Sequence, residues 1–317
     1  MPPVETILTP TGLRDWPLPV PEGDKSSRGR VLVIGGARTA PGAVMLAGQA
    51  ALRVGAGVLT LAVAQSVAGP VAAAVPESAV LWLPETASGS VAGGSVEVIQ
   101  RALGSAAAIL IGPGLDDVDE TAELITGLVS AAPQDLPIVL DAYAIGALGQ
   151  LPRHVLTALR GRLVLTPNHT ELERLLAAAG EQSGGADSGN ADSGNADSDN
   201  ADSAASDSDA ADDPQRRLAE HYEAVLSSDN RIVTPAGNRW LAPAGHSGLG
   251  TSGSGDVLAG ALVGLLARGV ELGQAACWAT YLHAAAGDRL AARVGSLGFL
   301  ARELLDQLPL VLTELQA

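Results

Sequence analysis

Five short segments, 31–35, 58–63, 108–112, 137–140 and 163–166, are apolar almost throughout, and helical patterns separate them. A strand with one face in water alternates polar with apolar residues. A strand apolar at nearly every position is covered on both faces, the mark of a parallel sheet between two helix layers. Helices are predicted over 42–53, 120–131 and 171–178, and again over 216–222. Strands follow at 223–226, 231–234 and 239–242. Two long helices, 255–268 and 272–291, and a third near the C-terminus complete the pattern. The fold class is therefore α/β: a three-layer α/β/α sandwich with a mostly parallel central sheet, one domain over residues 1–317.

One stretch breaks the rhythm. Residues 180–213 hold a decaying Ala-Asp-Ser-Gly-Asn repeat, intact at 186–190 and 191–195, with no side chain large enough to build a core. Such a polar, acidic tract is expected to be a disordered, solvated insertion. It carries ten acidic residues and no basic one, so the net charge of −16 leaves only about −6 on the rest of the chain. That balance gives no sign of nucleic-acid binding. No apolar run reaches membrane-spanning length, and the first twenty residues lack a signal-peptide pattern, so a cytoplasmic protein is expected. With 3% aromatic residues and 38 glycines, the core must be built from Ala, Val and Leu packed closely. The lone Cys277 has no cysteine partner within the chain and reads as core filler, while His154 and His283 read as surface or packing residues.

The segment Gly-Ser-Gly-Asp-Val-Leu-Ala-Gly at 253–260 carries chemistry. A glycine turn runs straight into a helix, whose first N–H groups lack intrahelical partners and attract anions. Gly253, Ser254 and Gly255 are thus candidates for holding phosphate. Asp256 at the same place is costly unless it takes a proton from a hydroxyl that meets the phosphate, which makes it the candidate catalytic base. Lys25 is the only lysine, and no glycine precedes it at the spacing a P-loop requires. Four further turns follow strand ends, where open α/β sheets bind ligands: Gly-Gly-Ala-Arg-Thr-Ala-Pro-Gly-Ala at 35–43, Gly-Pro-Gly-Leu at 112–115, Val-Leu-Asp-Ala at 139–142 and Thr-Pro-Asn-His-Thr-Glu at 166–171. Asp141 ends a buried strand, so its carboxylate is expected to serve the site.

Taken in this order, together with Ala-Leu-Arg-Val-Gly-Ala-Gly at 51–57, these motifs resemble the ADP- or ATP-dependent NAD(P)H-hydrate dehydratases, a family with the ribokinase-like fold. The resemblance spans roughly residues 28–308, leaving out the acidic insertion. It implies dehydration of the S epimer of hydrated NADH or NADPH, with ADP (or ATP) as phosphoryl donor and Mg2+ bridging the phosphates. It places Ala43, Gly114, Asn168 and Asp256 at the hydrated dinucleotide and Gly255 at the adenine nucleotide. Glu171 is either a helix-start acid or holds water on magnesium.

Two positions depart from the family pattern. Asn168 stands where a histidine is usual. The usual Leu-Lys-Gly nucleotide loop is replaced by Ser227, Ser228, Asp229, Asn230 and Arg231, whose hydroxyls, backbone N–H groups and guanidinium are the substitutes on hand. Two other readings remain: a small-molecule kinase of the same fold, and a nucleotide-binding homologue that has lost catalysis. Many relatives carry an N-terminal epimerase domain, and this chain starts almost directly at the dehydratase motifs. The resemblance therefore implies a separate epimerase as functional partner, and a homo-oligomer, commonly a tetramer.

Overall fold

The computed structural model describes residues 5–20, 23–184 and 213–317. The core of the acidic insertion, 185–212, lies outside the described residues. In chain order the first elements are β1 (Thr6–Ile7), α1 (Pro10–Arg14), β2 (Arg30–Ile34), α2 (Pro41–Arg53), β3 (Val58–Ala64), α3 (Gln65–Ala74) and β4 (Ser78–Leu83). There follow α4 (Val96–Leu103), β5 (Ala108–Ile111), α5 (Val118–Ala131), β6 (Ile138–Leu140), α6 (Tyr143–Gly146), α7 (Arg153–Leu159), β7 (Leu163–Leu165) and α8 (His169–Gly184). The chain resumes with α9 (Pro214–Tyr222), β8 (Val225–Ser228), β9 (Arg231–Val233), β10 (Arg239–Leu241), α10 (Ser254–Ala267), α11 (Leu272–Arg293) and α12 (Ala301–Gln316).

Among the described residues the strands form one sheet in the order β1-β10-β9-β8-β7-β6-β5-β2-β3-β4. Only β9 runs antiparallel to its neighbours β8 and β10; every other pair is parallel. The alternation along each strand sorts side chains into two cores. Val31 and Val33 of β2 face one layer with α2, α10, α11 and α12, whereas Leu32 and Ile34 face the other with α4, α5, α7 and α9. On the first side α10 lies against α2 so closely that a Cβ at Gly260 would come within 2.1 Å of the Ala47 carbonyl oxygen. Only a glycine permits that approach.

Several elements depart from the sequence reading. β4 and β1 escape it: β4 carries the apolar run 79–83 but is largely uncovered at the sheet edge, and β1 is only two residues long. The strand expected at 223–226 is β8, shifted towards the C-terminus. Glu223 adopts a left-handed conformation (φ 46°) that ends α9, and pairing with β7 and β9 draws Ser227 and Ser228 into the strand. The helix expected to stop at 178 continues to Gly184, and Asp213 caps α9 by accepting from Gln215 N, so both ends of the expected 180–213 insertion are helical boundaries.

The order of strands reverses direction at β2 and β5, from which the chain departs to opposite faces of the sheet. Turns 35–43 and 112–115 leave the C-terminal ends of these strands and open the crevice in which such sheets bind ligands.

Candidate functional site

At the crevice the two turns are laced together. Gly36 N donates to Pro113 O and Ala37 N to Gly114 O, each at 2.8 Å. Gly114 has φ +71°, and a Cβ there would meet the Ala40 carbonyl oxygen at 2.2 Å and the Ala43 side chain at 3.3 Å. Ala43 and Gly114 thus form one closely packed wall, with backbone rather than side chains exposed to a ligand. Thr39 Oγ1 braces the wall by donating to Asp116 Oδ2 at 3.1 Å.

Beside that wall, Asp141 sits at the end of β6 and accepts a 2.8 Å hydrogen bond from Thr166 Oγ1 at the end of β7. Burial pushes the Asp141 carboxyl up from 3.8 to about 7, against the Thr166 bond and with help from the charges of Asp256 and Glu171. The next residue, Ala142, has φ 49° and ψ −124°, a conformation that costs an alanine of order 1 kcal/mol or more and that clusters at functional sites.

Asp256 lies in the first turn of α10. Gly253 caps the helix with φ +87°; Ser254 N donates back to Thr251 O at 3.2 Å, and the next N–H with a carbonyl partner is Val257 N, donating to Gly253 O at 3.3 Å. The N–H groups of Gly255 and Asp256 therefore lack intrahelical carbonyls, which makes this turn an anion hole. Burial lifts the Asp256 carboxyl to about 6, a suitable value for a base at neutral pH.

A cleft of about 550 Å³ opens beside the first turns of α10. Its lining brings together Asn168, Ser227, Ser228, Asp229, Asn230, Ser254 and Gly255. Ser227 Oγ and Thr280 Oγ1 are 2.8 Å apart, and Ser254 Oγ and His283 Nε2 are 2.8 Å apart. The buried Ser228 Oγ has no hydrogen-bond partner. Asp229 and Asn230 form the two-residue β8–β9 turn, both with positive φ; Asn230 Nδ2 is fixed by donating to Ala244 O at 3.0 Å. Arg231 stands apart from this set. Its Nε contacts Glu5 Oε1 at 3.0 Å, and it does not line the cleft. Glu171 and Asn168 cap α8 reciprocally: Asn168 N donates to Glu171 Oε2 at 3.0 Å and Glu171 N to Asn168 Oδ1 at 2.9 Å. This leaves one Glu171 oxygen and the Asn168 amide N–H groups for a ligand.

The sequence reading missed Thr166, Thr280 and His283 as site residues. His283, taken from the sequence as surface or packing, is a buried cleft residue bonded to the anion-hole serine. The available signal was the three-residue spacing of Thr280 and His283, which puts both on one face of α11. Cys277 is fully buried and its thiol is pushed up by burial, while His154 is exposed.

The sequence profile of the NAD(P)H-hydrate dehydratases matches residues 31–310. The chain belongs to this family. It is 41% identical to the ADP-dependent (S)-NAD(P)H-hydrate dehydratase of Xanthomonas campestris, over 99% of this chain and 98% of that one. It spans about half the length of the bifunctional NAD(P)H-hydrate repair enzymes that it also matches. The fold of this dehydratase-family chain is similar to a ribokinase-like superfamily protein of Enterococcus faecalis, with a TM-score of 0.74 at 23% identity over 99% and 97% of the two chains. It is also similar to the ADP/ATP-dependent NAD(P)H-hydrate dehydratase of Bacillus subtilis co-crystallised with ATP/Mg2+, with a TM-score of 0.69 at 22% identity over 98% and 99%. The ribokinase-like α/β architecture expected from the motifs is thus the one observed.

Proposed function

We propose that this chain dehydrates the S epimer of hydrated NADH or NADPH, with ADP as the phosphoryl donor and AMP and phosphate as products. The observation that carries the reading is the Asp256 carboxyl, raised to about 6 by burial in the first turn of α10, a helix start whose leading N–H groups lack intrahelical partners.

Hydroxide is a poor leaving group, whereas phosphate is a good one. Asp256 takes the proton of the added hydroxyl as its oxygen attacks the terminal phosphorus of ADP, and the P–O bond to AMP breaks. The N–H groups of Gly255 and Asp256 hold the charge that develops on the transferring phosphoryl. The C–O bond to phosphate then breaks, and loss of a neighbouring ring proton restores the double bond. Ala43, Gly114 and the free amide N–H of Asn168 orient the dinucleotide, and Ser227, Ser228, Asp229, Asn230, Gly253, Ser254 and Gly255 surround the nucleotide.

Among the described residues no group of three His, Cys, Asp or Glu side chains is arranged to hold a metal alone. Magnesium, which prefers one or two carboxylates completed by water and phosphate oxygens, would draw on Glu171, whose Oε1 is not taken by the α8 cap. When bound it supplies charge neutralisation between the phosphates.

The chain works in the cytoplasm as a homo-oligomer, a tetramer by resemblance, and relies on a separate epimerase for the other epimer. Trp82, 61% exposed on the edge strand β4, and Leu297, 74% exposed, support subunit contacts. The bifunctional NAD(P)H-hydrate repair enzymes among the relatives support an epimerase as functional partner.

The test is recovery of near-ultraviolet absorbance from purified hydrated NADH with ADP, ATP or no nucleotide. Recovery that needs ADP and is lost in Asp256→Ala is expected; recovery without nucleotide would sink the reading.

A further inference from the structure

Among the described residues that line the 550 Å³ cleft, none is Lys or Arg. A polyphosphate lodged there meets hydroxyls, amides, imidazoles and backbone N–H groups beside the Asp229 carboxylate, so the direction in which each hydroxyl points its single proton bears directly on whether the cleft attracts it. Two of these hydroxyls are held from one face of α11. Thr280 pairs with Ser227 of β8, and His283, one turn further on, pairs with Ser254 at the start of α10. Ser254 is 3% exposed and His283 7%.

We infer that His283 is a positioning residue for the nucleotide: its Nε2–H donates to Ser254 Oγ, which frees the Ser254 hydroxyl to donate to a phosphate oxygen. The alternative direction, Ser254 donating to the ring, would present only oxygen lone pairs to an acceptor that carries negative charge. A neutral imidazole has one N–H, and the group at the other end of the bond decides which nitrogen keeps it. Burial holds the ring neutral by pushing His283 down to about 4, against hydrogen bonding with the Ser254 backbone. The ring thus acts as a neutral hydrogen-bond partner rather than through charge. It does not touch the reacting atoms; it orients a donor in the anion hole that does the work a lysine loop does elsewhere in the family.

This inference rests on the reading that the cleft holds ADP. It is tested by calorimetric titration of ADP with Mg2+, and of adenosine alone, into the unmodified chain and four variants: His283→Leu, His283→Gln, Ser254→Ala and the Ser254→Ala/His283→Leu double variant. Loss of a hydrogen bond to a charged acceptor weakens ADP about tenfold in His283→Leu. The Gln amide reaches the Nε2 position with an N–H, so His283→Gln stays within about threefold of the unmodified chain. The double variant binds ADP no more weakly than Ser254→Ala, because both changes remove the same donor. Adenosine, lacking phosphate, binds all four alike. Unchanged ADP affinity in His283→Leu, equal losses for adenosine and ADP, or additive effects in the double variant would each overturn the inference. Should His283→Leu fail to fold, unchanged ADP affinity in Ser254→Ala overturns it equally. A chain that binds ADP but restores no NADH would remove the dehydratase reading and leave the positioning role standing.

Discussion

Thr166 Oγ1 donates to Asp141 Oδ1 at 2.8 Å, which ties the ends of β7 and β6 together beneath the crevice. The bond crosses 25 residues of sequence. It holds a fully buried carboxyl beside Asp256 and Glu171, and burial outweighs it, leaving Asp141 at about 7.

The folded chain therefore keeps a proton on Asp141 that the unfolded chain releases near the ordinary value of 3.8. Stability falls as pH rises from about 4 through 7 and levels off above, because the folded state binds more protons throughout that window. Asp141→Asn retains an acceptor for Thr166 and cannot ionise. Its urea stability at pH 8 should exceed that of the unmodified chain by on the order of 2 kcal/mol, with the gap closing towards pH 4. Denaturation curves at pH 4, 6 and 8 check this; a gap independent of pH would refute it.

Asp256→Asn should lower kcat by about 10²- to 10⁴-fold, the usual contribution of a general base, while ADP affinity changes little. In the unmodified chain kcat/KM should rise with pH through about 6 as Asp256 ionises, and the residual activity of the variant should lack that limb. Steady-state rates from pH 5 to 8 decide it.

Glu171 joins two roles that substitution can separate. Glu171→Ala should cost about 1 kcal/mol through loss of the reciprocal cap with Asn168. Glu171→Gln keeps the cap, because glutamine fills the same position, but removes the charge. Its thermal midpoint should match the unmodified chain, while the magnesium concentration for half-maximal rate rises about tenfold. An unchanged magnesium requirement would confine Glu171 to capping.

Arg231→Ala should leave the Michaelis constant for nucleotide unaltered. Its guanidinium is held by Glu5 at 3.0 Å, and both side chains are partly exposed, so the change should cost less than about 1 kcal/mol of stability. A severalfold rise in that constant would mean that the side chain reaches the cleft after all.

The sequence by itself determined the inner strands of the sheet and its chemistry-bearing turns. Apolar strands such as 31–35 and 108–112 can be stable only when covered on both faces, and the glycines of 35–43, 112–115 and 253–260 answer local demands of backbone conformation and close approach. Asp256 stood out as a candidate for the same local reason, since a carboxylate in the first turn of a glycine-capped helix has to be explained in place. Only the tertiary structure decided which side chains share the cleft. A single two-residue turn separates Ser228, buried in the cleft wall, from Arg231, which is drawn away to Glu5. Ser254 and His283 lie 29 residues apart on different helices, and Asp141 and Thr166 just past the ends of different strands. Periodicity reports the face a residue takes on its own element. What that face meets is fixed by how α10, α11 and the strand ends pack, an arrangement set by the whole core rather than by any one segment.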